Sequence, residues 1–188
     1  MIKLKTFLFA IVLLTLSSHS ALADSYTDTL KVFKEAGQSA SFFSNSYGYA
    51  LFPTIGKGGF GIGGAHGAGR VYKQGNFIGD TTMTQLSFGL QAGGQAFSQI
   101  IFFQDKRALK EFTSGNFEFG AQASAVAITA GAQASTTTTG TSAGSSGGKN
   151  NAKTVGKYSK GMATFTVAKG GLMYEASVGG QKFTYKAK

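Results

Sequence analysis

Cysteine is absent from this chain of 188 residues. Disulfides and thiol chemistry are thereby excluded, as is lipid modification of a cysteine behind a leader, and folding must rest on an apolar core alone. Histidine and acid are scarce as well, with two histidines and eight Asp plus Glu residues. A hydrolase needs a nucleophile, a base and an orienting acid, and the raw material for such a set is thin. Past residue 23 the histidine is His66, a lone ring among glycines that reads as a turn residue. Without neighbouring carboxylates it makes no transition-metal site. Asp105 and Glu111 share a short stretch with Lys106, Arg107 and Lys110, so ion pairing on a solvated helix face accounts for them better than acid–base chemistry. The sequence therefore points away from an enzyme and calls for no cofactor and no metal.

Long apolar runs are missing too. The stretch from Phe7 to Leu16 follows Lys3 and Lys5 and is too short to cross a bilayer, which takes roughly 20 residues. With Ala21 and Ala23 placed as small residues ahead of Asp24, residues 1–23 read as a secretory signal peptide. Residues 24–188 then form one domain, exported to a periplasmic or extracellular location. That remainder holds sixteen basic and eight acidic residues, net +8, against +10 for the whole chain. The charge is uneven. Residues 24–148 carry eight basic and seven acidic side chains, whereas 149–188 carry eight lysines against Glu175. Such a surface suits anionic lipid headgroups or acidic polysaccharide, and export leaves nucleic acid the least available partner. Lysines that merely solubilise strand faces remain the plain alternative.

What the chain has in abundance is glycine, 28 in all, with eight in the fourteen residues from Gly56 to Gly69. Phe60 and Ile62 alternate with glycines there, so the segment reads as a glycine-lined strand. Gly59 to Gly64 formally fits G-x-G-x-x-G, but the residues from Ala65 to Tyr72 make a poor helix, and a dinucleotide site needs one there. Leu30, Phe33, Ala36, Ala40 and Phe43 recur at spacings of three and four, giving an amphipathic helix from Thr27 to about Phe43 that Gly37 can kink. Its apolar face either packs on a sheet, the favoured reading for a single domain, or dips into a membrane interface. Leu86, Phe88, Leu90 and Ala92 alternate with polar residues as a half-buried strand does, and Ile100 to Phe103 reads as a strand buried on both faces. Asp105 caps a short helix bearing Ala108, Leu109 and Phe112, with Gly115 as its stop. Phe117 to Ser135 reads as strand, and 136–149, all Thr, Ser, Gly and Ala until its end, as a flexible surface loop. Met162–Ala168, Leu172–Val178 and Lys182–Lys186 read as three strands, with Gly179 and Gly180 as a two-residue hairpin. The fold class is α+β: an antiparallel β-rich single domain, a barrel- or sandwich-like meander with an N-terminal amphipathic helix and a short central helix.

Phe52 and Pro53, the run from Lys57 to Gly64, Gly67 to Gly69, Gln91 to Gln95, Ile101 to Phe103 and Gly171 to Glu175 together resemble the SYLF domain family. The resemblance spans most of residues 24–188. It implies a lipid-binding, non-catalytic domain, with phosphoinositide binding and actin association in eukaryotic members. The residues themselves supply two candidate anion sites. Lys57 and Arg70 bracket the glycine-rich motif, where exposed backbone N–H groups and a cation could hold a phosphate, or where glycines could simply allow tight strand packing. Lys149, Lys153, Lys157 and Lys160 form a spaced basic run beside Tyr158 that could adhere to an anionic membrane, each lysine contributing about 1 kcal/mol. The leading expectation is peripheral binding of anionic or phosphoinositide-type headgroups. Two alternatives stay open, a small integral outer-membrane β-barrel and an envelope structural or protein-interaction protein.

Overall fold

The computed structural model describes residues 25–115, 117–119, 125–128 and 157–188, with backbone alone at 38, 125–128 and 171–179. The expected signal peptide at 1–23, the expected loop at 136–149, Lys149 and Lys153 lie outside the described residues, as do the parts of the 117–135 strand reading that flank the two short strands found there.

Two helices, α1 (25–35) and α2 (Gly37–Asn45), occupy the expected amphipathic segment and break at Ala36, whose backbone is extended. The break falls beside Gly37. The Ser39 hydroxyl donates to the carbonyl of Phe33, satisfying an acceptor that the interrupted helix would leave open. Three long strands follow: β1 (Gly48–Lys73), β2 (Asn76–Phe103) and β5 (Met162–Ala187). Between β2 and β5 lie α3 (Lys106–Phe112), β3 (Phe117–Phe119) and β4 (Ala125–Ile128). The sheet order is β1-β2-β5-β3, antiparallel throughout, with β4 added parallel to β5. Among the described residues β1 pairs with β2 alone, so the sheet is open and the barrel alternative finds no closure. Gln74 and Gly75, both at positive φ, join β1 to β2 in the tight turn that matches strand twist.

A straight strand of 26 residues would run roughly 85 Å at ~3.3 Å per residue, about twice the width of a domain of this size. The strands therefore fold over. β1 bends at Gly61, where φ is +70°, and its two halves come together. A Cβ on Gly67 would lie 2.6 Å from Ile55 Cγ1, and one on Gly69 would lie 2.5 Å from Phe52 Cδ1. Glycine is required there because no other residue leaves room for the neighbouring strand.

The folded sheet encloses one core and carries another on its outside. The inner core takes Phe52, Ile55 and Val71 from β1, Met83, Ile101 and Phe103 from β2, Phe183 from β5, and Leu109 and Phe112 from α3. Phe183 meets Phe52 and Phe112 at ring separations of 5.7 and 5.2 Å. The outer core seats α1 and α2 on Tyr49, Leu51, Ile100, Phe102 and Phe165, with Phe33 fully buried and Phe42 and Phe43 against Phe102. The helical apolar face thus packs on the sheet, and Ile100 to Phe103 is buried on both faces as expected. The Asp105 carboxylate accepts from the Ala108 N–H at 2.8 Å, capping α3.

The three C-terminal strands of the sequence reading are one strand. Gly170 and Gly171, between the first two expected strands, pair with Ala96 and Gln95, and Gly179 and Gly180 pair with Ser87 and Leu86, so neither glycine pair reverses the chain. Likewise the segments at Leu86–Ala92 and Gln95–Phe103 are parts of β2. Pairing along β2, broken by a single register shift at Ala96/Phe97, holds β5 extended through its glycines. The α+β, antiparallel, sandwich-like class stands, built from folded long strands in place of a short-strand meander.

Candidate functional site

Where the sheet folds, its outer surface carries five large apolar side chains: Phe60 and Ile62 of β1 and Leu86, Phe88 and Leu90 of β2. They are 88%, 64%, 61%, 60% and 72% exposed. Register gathers them. Ile62 sits opposite Phe88 and Gly64 opposite Leu86, while Phe60 pairs with Ala92. Between those pairs β1 has Gly61 alone where β2 has Gly89, Leu90 and Gln91, an irregularity that turns Leu90 outward and buries Gln91.

Beneath this crest the interior is polar. The Gln91 amide donates to the carbonyls of Gly61 (3.2 Å) and Ser87 (3.0 Å) and accepts from the Ser87 hydroxyl (2.8 Å), pinning the bend. The Gln181 amide donates to Gln85 (3.1 Å) and the fully buried Gln99 donates to Gln181 (3.3 Å). No charged residue occurs from Thr81 to Gln104. The alternation at Leu86–Ala92 was expected to put its apolar set inside, and the structure puts it outside. The available signal was the missing charge, since a solvated strand face ordinarily carries Lys, Glu or Thr, whereas Gln85, Ser87 and Gln91 are uncharged and can be enclosed once they are hydrogen-bonded.

The sequence-derived cations are dispersed. Lys57, half-buried, pairs with Gln95, and Arg70 pairs with Asp80 toward the other end of β2. Register does not bring the two into one anion site. The Arg70 guanidinium stacks over Tyr26 at 4.3 Å and Phe77 at 5.2 Å, with the Asp80 carboxylate 4.0 Å away, so it ties α1 to the sheet. Lys157 and Lys160 are exposed near the start of β5, where Met162 pairs with Phe103, at the end of the sheet away from the crest. The Lys160 carbonyl accepts from Arg107 at 3.3 Å.

His66 lies on β1 as an exposed strand residue, its Nδ1 3.3 Å from the Thr84 hydroxyl. No cluster of three metal-ligating side chains exists among the described residues. Burial raises the pKa of Tyr26, against the pull of Arg70, and of Tyr158 and Tyr185. Burial, helped by Tyr72, pushes Tyr49 up to about 12. Each stays a neutral phenol at ordinary pH.

Comparison with known proteins adds an identity to this geometry. The chain is 27% identical over 161 residues to beta cell expansion factor A of Aeromonas veronii, across 84% of this chain and 52% of that protein. It thus spans about half the length of that relative. No solved structure matches it. The model of the Ysc84 family, described as Las17-binding protein actin regulator, matches residues 84–188, which take in most of β2, all of β5 and three of the crest residues. The chain belongs to the Ysc84 family, the SYLF family, and that membership suggests a lipid-binding domain.

Proposed function

We propose that this protein is an exported, non-enzymatic domain that binds lipid surfaces, and that the crest of the folded sheet is its contact. The observation that carries the reading is the exposure of Phe60, Ile62, Leu86, Phe88 and Leu90 side by side. A contiguous apolar patch on a soluble fold marks an interaction surface. Magnitudes favour this site over the lysines. Fully burying one large apolar side chain is worth roughly 1.5–3 kcal/mol, whereas a lysine near an anionic membrane is worth about 1 kcal/mol, reduced by salt. Lys157 and Lys160 face away from the crest and serve long-range attraction to anionic or phosphoinositide headgroups more than docking. Family membership supports the lipid reading independently of the crest.

Co-sedimentation of the purified protein with phosphatidylcholine vesicles, with and without phosphatidylglycerol, tests the proposal. The double variant Phe88→Ser with Leu90→Ser should lose most binding, and Lys157→Ala with Lys160→Ala should lose only the salt-sensitive increment on anionic vesicles. Full binding by the folded crest variant would overturn the assignment. A protein partner retained without lipid by the wild type and lost by the crest variant would move the same surface to a protein-interaction role.

A further inference from the structure

Resting on that reading, we infer that the crest half of the sheet is built inside out and enters the acyl region of one membrane leaflet, whatever the headgroup charge. In water a folded sheet gains stability by enclosing apolar side chains and leaving polar ones outside. Toward the ends of the strands this protein does so. Around the bend the arrangement is reversed, with Gln85, Ser87 and Gln91 on the same strand face as the interior and Leu86, Phe88 and Leu90 outside. Polar-inside, apolar-outside alternation is what strands adopt in lipid. It gives little return in water, where Gln, Ser and Gly supply scant apolar area to bury.

The bend itself meets the demand that lipid makes on backbone. Inside a bilayer no water reaches a carbonyl left out of the ladder, so each must find a partner within the protein. At Gly61, where β1 departs from its register with β2, the Gln91 amide takes that carbonyl. In water a solvent molecule would serve as well, and a buried glutamine would be unnecessary.

Depth follows from the register. The outermost apolar row is at the bend, and the last comprises Gly64, Leu86 and Gly180. From Gly61 to Gly64 the strand advances roughly 10 Å, short of the ~15 Å of hydrocarbon in one leaflet. The next row is His66, Thr84 and Lys182, with Lys182 ion-paired to Glu118 at 3.4 Å. That row is suited to the headgroup level and stops further entry. Because the outward side chains of the crest are uncharged, insertion depends on access to acyl chains and not on anionic lipid. The surface is convex, as the outside of a fold must be, which fits a fluid apolar medium.

The absence of cysteine makes the test clean. Phe60→Cys, Phe88→Cys, Thr84→Cys and Ser44→Cys would each take one environment-sensitive fluorophore, read with phosphatidylcholine vesicles carrying nitroxides at the headgroup or along the acyl chain. Labels at 60 and 88 should shift to the blue and be quenched most by the acyl nitroxide. The label at 84 should be quenched most by the headgroup nitroxide, and the label at 44 should not change. Adding phosphatidylglycerol or high salt should leave this pattern intact. The unlabelled Phe88→Ser variant, folded by circular dichroism, should bind these neutral vesicles about tenfold more weakly, with Ser44→Ala, on the exposed face of α2, unaffected. Co-sedimentation without any response at 60 and 88 would overturn insertion and leave lipid binding standing. Failure to co-sediment with any vesicle would overturn both.

Discussion

Ile100 to Phe103 and Leu86 to Leu90 lie in one strand and each carries at least three large apolar side chains, yet the first segment is wholly buried and the second presents three side chains to solvent. The difference is in what covers each end of the fold. At Ile100–Phe103 the inner face meets α3 and Phe183 while the outer face meets α1 and α2, so both parities of the strand are enclosed. At Leu86–Leu90 the inner face meets glycine and glutamine, and among the described residues the outer face meets nothing. Apolar content alone does not make a core. A second element must supply the other wall, and where this protein supplies none, the exposed face is available to an external apolar phase.

The sharpest way to break this comparison is to truncate one side chain at each end. Phe183→Ala should remove about 3–5 kcal/mol of stability, because the ring is fully buried among Phe52, Phe112, Phe117 and Phe119. Phe88→Ala should change stability by no more than about 0.5 kcal/mol, as exposed positions do. Denaturant unfolding of both variants reads the contrast. Equal losses would mean that the crest is covered in solution.

The close approach of the two halves of β1 gives the next largest effect. Gly69→Ala places a methyl group against Phe52 and 2.8 Å from the Leu51 carbonyl, so the strand halves must separate at an expense of about 1–3 kcal/mol. Gly64→Ala, on the outer face and 3.7 Å from the Gln85 carbonyl, should be tolerated. A smaller loss, about 1–2 kcal/mol, is expected of Gln91→Ala, which leaves the Gly61 carbonyl without its side-chain donor. Hydrogen exchange should localise the Gln91→Ala effect to the bend and leave amides near Phe183 protected. Uniform loss of protection would show that the two ends unfold as one unit.

Much of the helix-covered end was legible in the sequence because its signals are local. The three- and four-residue spacing from Leu30 to Phe43, the break beside Gly37, the Asp105 cap and the continuous run at Ile100–Phe103 each carry their meaning within a few residues. The crest was not legible in this way. Alternation identifies two faces but not which one is inside, and the answer at Leu86–Leu90 depends on a bend that juxtaposes residues far apart in the strand. The C-terminal glycines are a second case, since Gly179 and Gly180 have the chemistry of a hairpin and are overruled by continuous pairing with β2. The candidate cations were visible as residue types, but Arg70 is spent on Tyr26 and Phe77, a tertiary contact that no spacing rule reveals.

The smallest expected effect separates the two ends by pH. Tyr49, in the helix-covered core, has its pKa raised by burial to about 12, against an ordinary value near 10. The folded state therefore holds this proton more tightly than the unfolded state. The contribution to stability is fully present below pH about 10 and is lost as pH rises toward about 12, where unfolding permits ionisation. Tyr26, Tyr158 and Tyr185 are shifted in the same direction and reinforce the slope. Tyr49→Phe should flatten the alkaline fall in melting temperature relative to the wild type, and an unchanged slope would show that the phenol is not held neutral by the core. The crest, whose five exposed apolar side chains carry no titratable group, should adsorb to neutral vesicles equally from pH 5 to 9, so alkaline pH weakens the helix-covered end before it alters the lipid contact.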